Sequence, residues 1–219
     1  MIKLTKLAAG LALATCALAS TSAFAQLTTN VGVASEYYFR GVLQKSSSAS
    51  AGVDYTQDGI YVGAWTADVG QGLEVDGYGG YAYSDEASGW NAKIGYYGYF
   101  YTGSFDNTYQ EINLGLGYKM LSLEYNKGKH DLNTVAGGPK QDYTFYAATI
   151  TSNGFYGKFG KWGSDFSGDY WEFGYGFKVA ELDATVATIF NSKELSDQVD
   201  LKGNKERGQA IVLTLKKTF

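Results

Sequence analysis

Few residues in this chain of 219 amino acids have the chemistry of a reaction centre. The single histidine, His130, sits in Lys127-Gly128-Lys129-His130-Asp131. Paired with Asp131 it could form an acid–histidine dyad for proton transfer. A serine partner at a membrane-facing rim would complete the machinery of a lipid hydrolase. A solvated loop histidine explains the same residues more simply, and one histidine among scattered acids is not a metal set. The single cysteine, Cys16, lies in an amino-terminal apolar run, outside the body of the chain. Gly77-Tyr78-Gly79-Gly80 is glycine-rich, but it gives space beside aromatic rings and does not cradle phosphate. No catalytic residue, metal or cofactor is assigned, and the chain is not read as an enzyme.

The charges that do recur alternate with apolar residues. Glu36, Asp54, Glu74, Asp76, Glu111, Glu124, Glu172 and Asp183, with Arg40, Lys93, Lys158 and Lys178, share the parity opposite an oily face. Ile112, Leu114, Leu116 and Tyr118 oppose Glu111 and Asn113, and Trp171, Phe173, Tyr175 and Phe177 oppose Glu172 and Lys178. A period of two is the signature of a strand with distinct faces. The carboxyl terminus shows it most plainly. Ile211, Leu213, Leu215 and Phe219 share one parity, only Val212 breaks the other, and the chain stops on an aromatic. A closing strand of an outer-membrane barrel has this form, because aromatics favour the membrane–water boundary. Lys217 falls on the oily parity and can snorkel.

The amino terminus agrees. Lys3 and Lys6, the apolar run Leu7 to Leu18 and Ala23-Phe24-Ala25 form a secretory signal peptide over residues 1–25. The run is too short to span a membrane as a helix. Beyond it there are sixteen basic against twenty-two acidic residues and no cysteine, which argues against nucleic-acid binding, disulfides and thiol chemistry. The chain carries 29 Gly, 19 Tyr and 12 Phe but one Pro, as a continuous sheet requires.

Twelve strands are expected, near 28–40, 48–55, 60–68, 73–84, 90–100, 108–118, 121–128, 142–150, 155–162, 169–178, 182–190 and 207–219. With the first strand running outward, short turns fall at 56–59, 84–89, 119–120, 151–154 and 179–181. Longer external loops fall at 41–47, 68–72, 101–107, 127–141, 163–168 and 191–206. That asymmetry is the habit of bacterial barrels. The expected fold is all-β: one transmembrane antiparallel barrel over 26–219, closed by pairing near Val31 and Leu213. Interface aromatics are expected at Phe39, Tyr143, Trp171 and Phe190 on the outer side, and at Trp90, Tyr118, Phe177 and Phe219 on the inner side.

Asn30-Val31-Gly32-Val33-Ala34-Ser35-Glu36-Tyr37-Tyr38-Phe39-Arg40-Gly41-Val42 resembles the opening signature of the TorF-type porin family of Gram-negative bacteria. Gly59-x-Tyr61-Val62-Gly63-x-Trp65, Glu74-x-Asp76, Tyr96-Tyr97-Gly98-Tyr99 and the final Thr218-Phe219 continue the resemblance. It implies an outer-membrane channel of unproven substrate.

Charges facing lipid would cost roughly 2–4 kcal/mol each at the bilayer midplane, so the charged parity is expected to line a lumen. Eight inward acids against four bases make that lumen net negative. Inward glycines (Gly95, Gly115, Gly117, Gly174, Gly176) are expected to leave volume open. The leading expectation is a narrow porin-like channel for small solutes or ions, weakly cation-preferring, whose partners are outer-membrane lipid and the outer-membrane assembly machinery. A closed structural or adhesive barrel acting through its external loops is the alternative.

Overall fold

A computed structural model describes residues 25–133 and 137–219. The expected signal peptide, with Cys16, lies outside the described residues except for Ala25. The strands are β1 (Gln26–Phe39), β2 (Val42–Gln57), β3 (Ile60–Asp68), β4 (Leu73–Asp85), β5 (Trp90–Tyr101) and β6 (Tyr109–Tyr118). They continue as β7 (Leu121–Asp131), β8 (Lys140–Ser152), β9 (Phe155–Ser164), β10 (Asp169–Val179), β11 (Leu182–Asn191) and β12 (Gly208–Thr218). All pair antiparallel with their sequence neighbours, and β12 returns to β1, closing a barrel. No helix occurs among the described residues.

Turn chemistry sets the hairpins. Asp58-Gly59 and Asn153-Gly154 have positive φ at both positions, the two-residue turn whose twist suits paired strands. Short connections and both ends of the barrel wall share one end; the segments 102–108 and 192–207 share the other, where β7 ends and β8 begins. Closure follows the expected pairing. Asn30–Ala34 lie opposite Thr218–Thr214, and Thr29 and Phe219 exchange two backbone bonds of 3.3 and 2.9 Å. Lys217 pairs with Glu181 in the β10–β11 turn, which explains a lysine on the oily parity.

One expected loop is corrected. Residues 41–47 are not an external loop: β2 begins at Val42, and Arg40-Gly41 is a tight turn with φ of 47° and 84°. The serine-rich run Ser46-Ser47-Ser48 imitates a loop in sequence but pairs back onto β1.

The same hairpin leaves the wall. β1 pairs with β12 only as far as Ala34, and β2 pairs with β3 only from Ser50. Among the described residues, 35–47 form strand pairs only with one another, and their register slips between Tyr37 and Tyr38. The tip folds into the lumen instead of rising with the wall. Ser35 Oγ accepts the Leu213 N–H where β1 departs.

Outside, side chains such as Val33, Ile94, Leu123 and Phe173 are exposed in a belt running round the barrel. A continuous apolar band of this kind is stable only against lipid. Inside, the barrel is filled. Tyr61, Tyr78, Tyr97 and Tyr99 form one buried cluster, and Tyr143, Phe145, Trp162, Tyr170, Ile189 and Val212 form another.

Candidate functional site

The seated hairpin tip organises the lumen. Trp162 Nε1–H donates to the Arg40 carbonyl at 3.0 Å, and Asn191 Nδ2 donates to the Gly41 carbonyl at 2.9 Å. These bonds tie the turn to β9 and β11. A Cβ on Gly41 would lie 2.7 Å from the Tyr170 ring, and its φ is positive, so only glycine fits here. Arg40 adopts positive φ without glycine's freedom. Such strain persists only where surroundings over-determine it.

Those surroundings are specific. Arg40 Nη1 and Nη2 donate to Glu111 Oε2 and Oε1, both at 2.7 Å, in the fork geometry that matches carboxylate. Nη2 also reaches Glu124 at 3.4 Å. The guanidinium lies over Phe145, Phe39 and Trp162, with centroid distances of 4.4, 4.9 and 5.6 Å. Glu111 takes further bonds from Tyr99 (2.7 Å), Tyr143 (3.0 Å) and Asn113 (2.6 Å). Asn113 also donates to Asn126, which donates to Glu124, so one network crosses β5 to β8 and ends on the hairpin.

The other charges have distinct settings. Glu36, Arg40, Glu124, Lys158 and Glu172 line a cavity of about 40 Å³ beneath the tip. That space suits roughly three waters. Glu172 accepts the Tyr156 hydroxyl, and Asp54 accepts the Tyr78 hydroxyl at 2.6 Å. Lys93 lies against Tyr97, and Lys178 pairs with Asp183 at 2.5 Å near the short-turn end. Glu74 and Asp76 are buried on β4 and, among the described residues, have no cationic nitrogen within ion-pair distance. Four of the five inward glycines do not leave open volume as expected. Long side chains from neighbouring strands occupy that space: Tyr61 over Gly95, Lys93 over Gly115, Asn91 over Gly117 and Tyr156 over Gly174.

Two expected interface aromatics are corrected. Phe39 points inward because its strand has left the wall, and it packs on Tyr99 and Trp162. Tyr143 is fully buried because the odd residues of β8 face the lumen, where its hydroxyl serves Glu111. Trp90, Tyr118, Trp171, Phe190 and Phe219 are exposed on the outside, and Phe177 stacks half-buried on Tyr175. Missed by sequence reasoning were Trp162, Tyr170 and Asn191, which seat the tip.

His130 does not pair with Asp131, which holds Lys140 instead. His130 Nε2 meets Asp106 Oδ1 at 2.9 Å, and the ring stacks on Tyr109 at 4.0 Å. Burial alone would raise the Asp106 carboxyl. Bonds from His130, the Asn107 amide and the Tyr109 hydroxyl outweigh burial and hold it below the usual range. The group pins the connection 102–108 to β6 and β7. Among the described residues no cluster of three or more His, Cys, Asp or Glu is arranged to hold a metal ion.

A closed twelve-stranded barrel with a lipid-compatible belt and a charged interior defines the class as a bacterial outer-membrane β-barrel. Residues 18–144 match the family described as "Bacterial protein of unknown function (Gcw_chp)", and the chain belongs to that family. No curated protein matches the chain in sequence. Among solved structures it is similar to the NanC porin, at 10% identity over 88% of this chain and 98% of that one, with a TM-score of 0.53. The outer-membrane protein opdK from Pseudomonas aeruginosa is a weaker likeness, at 12% identity over 80% of this chain and 58% of that one, with a TM-score of 0.37.

Proposed function

We propose that the chain is a porin-like channel for passive diffusion of small solutes or ions, narrow and weakly cation-preferring, with the β1–β2 hairpin as its constriction. The observation that carries this reading is how the lumen is filled. The obstructing element is a hairpin detached from the wall and held at its tip by side-chain hydrogen bonds and an ion pair. Such contacts are exchangeable with water and solute in a way that ladder pairing is not. The excess of inward carboxylates supports cation preference, since rings of Asp and Glu favour cations and low-dielectric walls focus their field. The resemblance of Asn30–Val42 to TorF-type porins agrees. Outer-membrane lipid round the belt and the assembly machinery at the closing strand are the partners this reading requires.

One observation favours a second reading, a closed barrel acting through its external loops: the cavity under the tip is only about 40 Å³, room for roughly three waters. Proteoliposome swelling with isotonic solutes of graded size separates the two. The channel reading expects swelling with the smallest solutes, faster when Arg40 is replaced. Liposomes that stay osmotically tight with both proteins would support the closed barrel.

A further inference from the structure

Glu74 and Asp76 occupy successive lumen-facing positions of β4, roughly 6–7 Å apart along the strand. They are 1% and 2% exposed. Glu74 Oε1 accepts the Tyr37 hydroxyl at 2.9 Å. Glu74 Oε2 and Asp76 Oδ1 are buried with no hydrogen bond of good geometry, although the Tyr101 side chain lies beside Glu74. This differs from Glu111, whose charge Arg40 answers directly. Two uncompensated carboxylates in a water-poor interior are costly, and buried charges are ordinarily paired.

We propose that Glu74 and Asp76 form a binding station for a monovalent cation, either an alkali ion or the ammonium head of an organic solute. This deepens the channel reading above and rests on it for the route by which the cation arrives. Calcium demands six or more oxygen ligands, which two carboxylates and the hydroxyls of Tyr37 and Tyr101 do not assemble. An ammonium needs three acceptors and benefits from aromatic faces. Tyr37 and Trp65, in edge contact at 5.7 Å, stand beside the pair, and Trp65 is the register partner of Asp76. Asp106, in the connection between β5 and β6, places a further carboxylate toward the outer mouth, held there by His130.

The test is calorimetric titration of the folded, detergent-solubilised full barrel with potassium chloride and with methylammonium chloride. Ionic strength is held constant with tetrabutylammonium chloride, which is too bulky for the site. The station predicts saturable binding of at least one probe, weakened at least tenfold in Glu74→Gln/Asp76→Asn and unchanged in Glu206→Gln, which alters an exposed loop. Binding of both probes assigns the site to charge alone, and preference for methylammonium assigns it to an organic head group. No saturable heat from the wild-type barrel overturns the station, as does undiminished affinity in the double variant. Wild-type binding stands as evidence even where the variant fails to fold. Because the titration needs no ion flow, a barrel that binds but does not conduct refutes the channel and leaves the station standing.

Discussion

Arg40→Ala removes both hydrogen bonds to Glu111, the contact with Glu124 and the stack on Phe145 in one substitution. Breaking a buried pair by deleting one partner costs about 3–5 kcal/mol, because the survivor is left charged and buried. Glu111 keeps donors from Tyr99, Tyr143 and Asn113, so the lower end, about 3 kcal/mol, applies here. At about 1.4 kcal/mol per decade, the ratio of seated to displaced hairpin falls by about two decades. The assay is single-channel recording in planar bilayers alongside tryptophan emission, with a Trp162→Phe background identifying the signal of the hairpin seat. The variant should spend about a hundredfold more time in its higher-conductance level, with Trp162 emission shifted toward that of a wetter site. Arg40→Lys should fall between, since lysine keeps the charge but loses the fork. Dwell times and emission indistinguishable from wild type would refute Arg40 as the element that holds the tip.

Three further outcomes follow from the same geometry. Gly41→Val demands positive φ from a β-branched residue and drives Cβ into the Tyr170 ring, so the variant should assemble as a barrel by heat-modified gel mobility yet show the Arg40→Ala conductance; wild-type conductance would contradict the seating described. Deleting Phe219 removes the two backbone bonds to Thr29 that close the seam, and should lower the yield of heat-resistant barrel in outer-membrane fractions; unchanged yield would count against a role for the terminal residue. The depressed Asp106 carboxyl contributes stability that is fully present above its ordinary value of about 3.9 and is lost as pH falls through its lower folded value. Pepsin cleavage near Phe105 should therefore rise only below about pH 4 in wild type. Asp106→Asn should be cut readily at every acidic pH where pepsin acts, and equal protection of the two proteins would contradict the anchoring role.

Much of the barrel was legible because lipid enforces a strict rule. Outward wall residues near the bilayer centre must be apolar, so period-two alternation marks strands such as β6, β10 and β12, while Asp58-Gly59 and Asn153-Gly154 mark the β2–β3 and β8–β9 turns. The hairpin escaped that rule. Parity assigns a face only while a strand stays in the wall, and β1 departs at Ser35, so Tyr37 and Phe39 sit on the oily parity yet point inward. A signal existed on the opposite wall. Tyr143, Phe145, Trp162, Ile189 and Val212 are apolar residues on the lumenal parity, and Val212 stands out as the one break in the pattern of β12. Apolar side chains facing a lumen require something to cover them, and the hairpin tip is that cover. Which carboxylates keep a partner was not legible either. Arg40 lies 71 residues from Glu111 and meets it only through the fold.

A hairpin that narrows a conducting lumen and a hairpin that seals a solid barrel differ in what the bilayer passes. The most direct measurement is the reversal potential of purified wild-type protein across a potassium chloride gradient in a planar bilayer, repeated with Glu111 and Glu124 both changed to Gln. A narrowed, carboxylate-lined lumen should give small conductance steps with a reversal potential on the cation side, a preference that weakens at 1 M salt, where the Debye length is about 3 Å, and that shrinks in the double variant. Anion preference, a potential unmoved by the double substitution, or a bilayer left silent by both wild type and Arg40→Ala would contradict it.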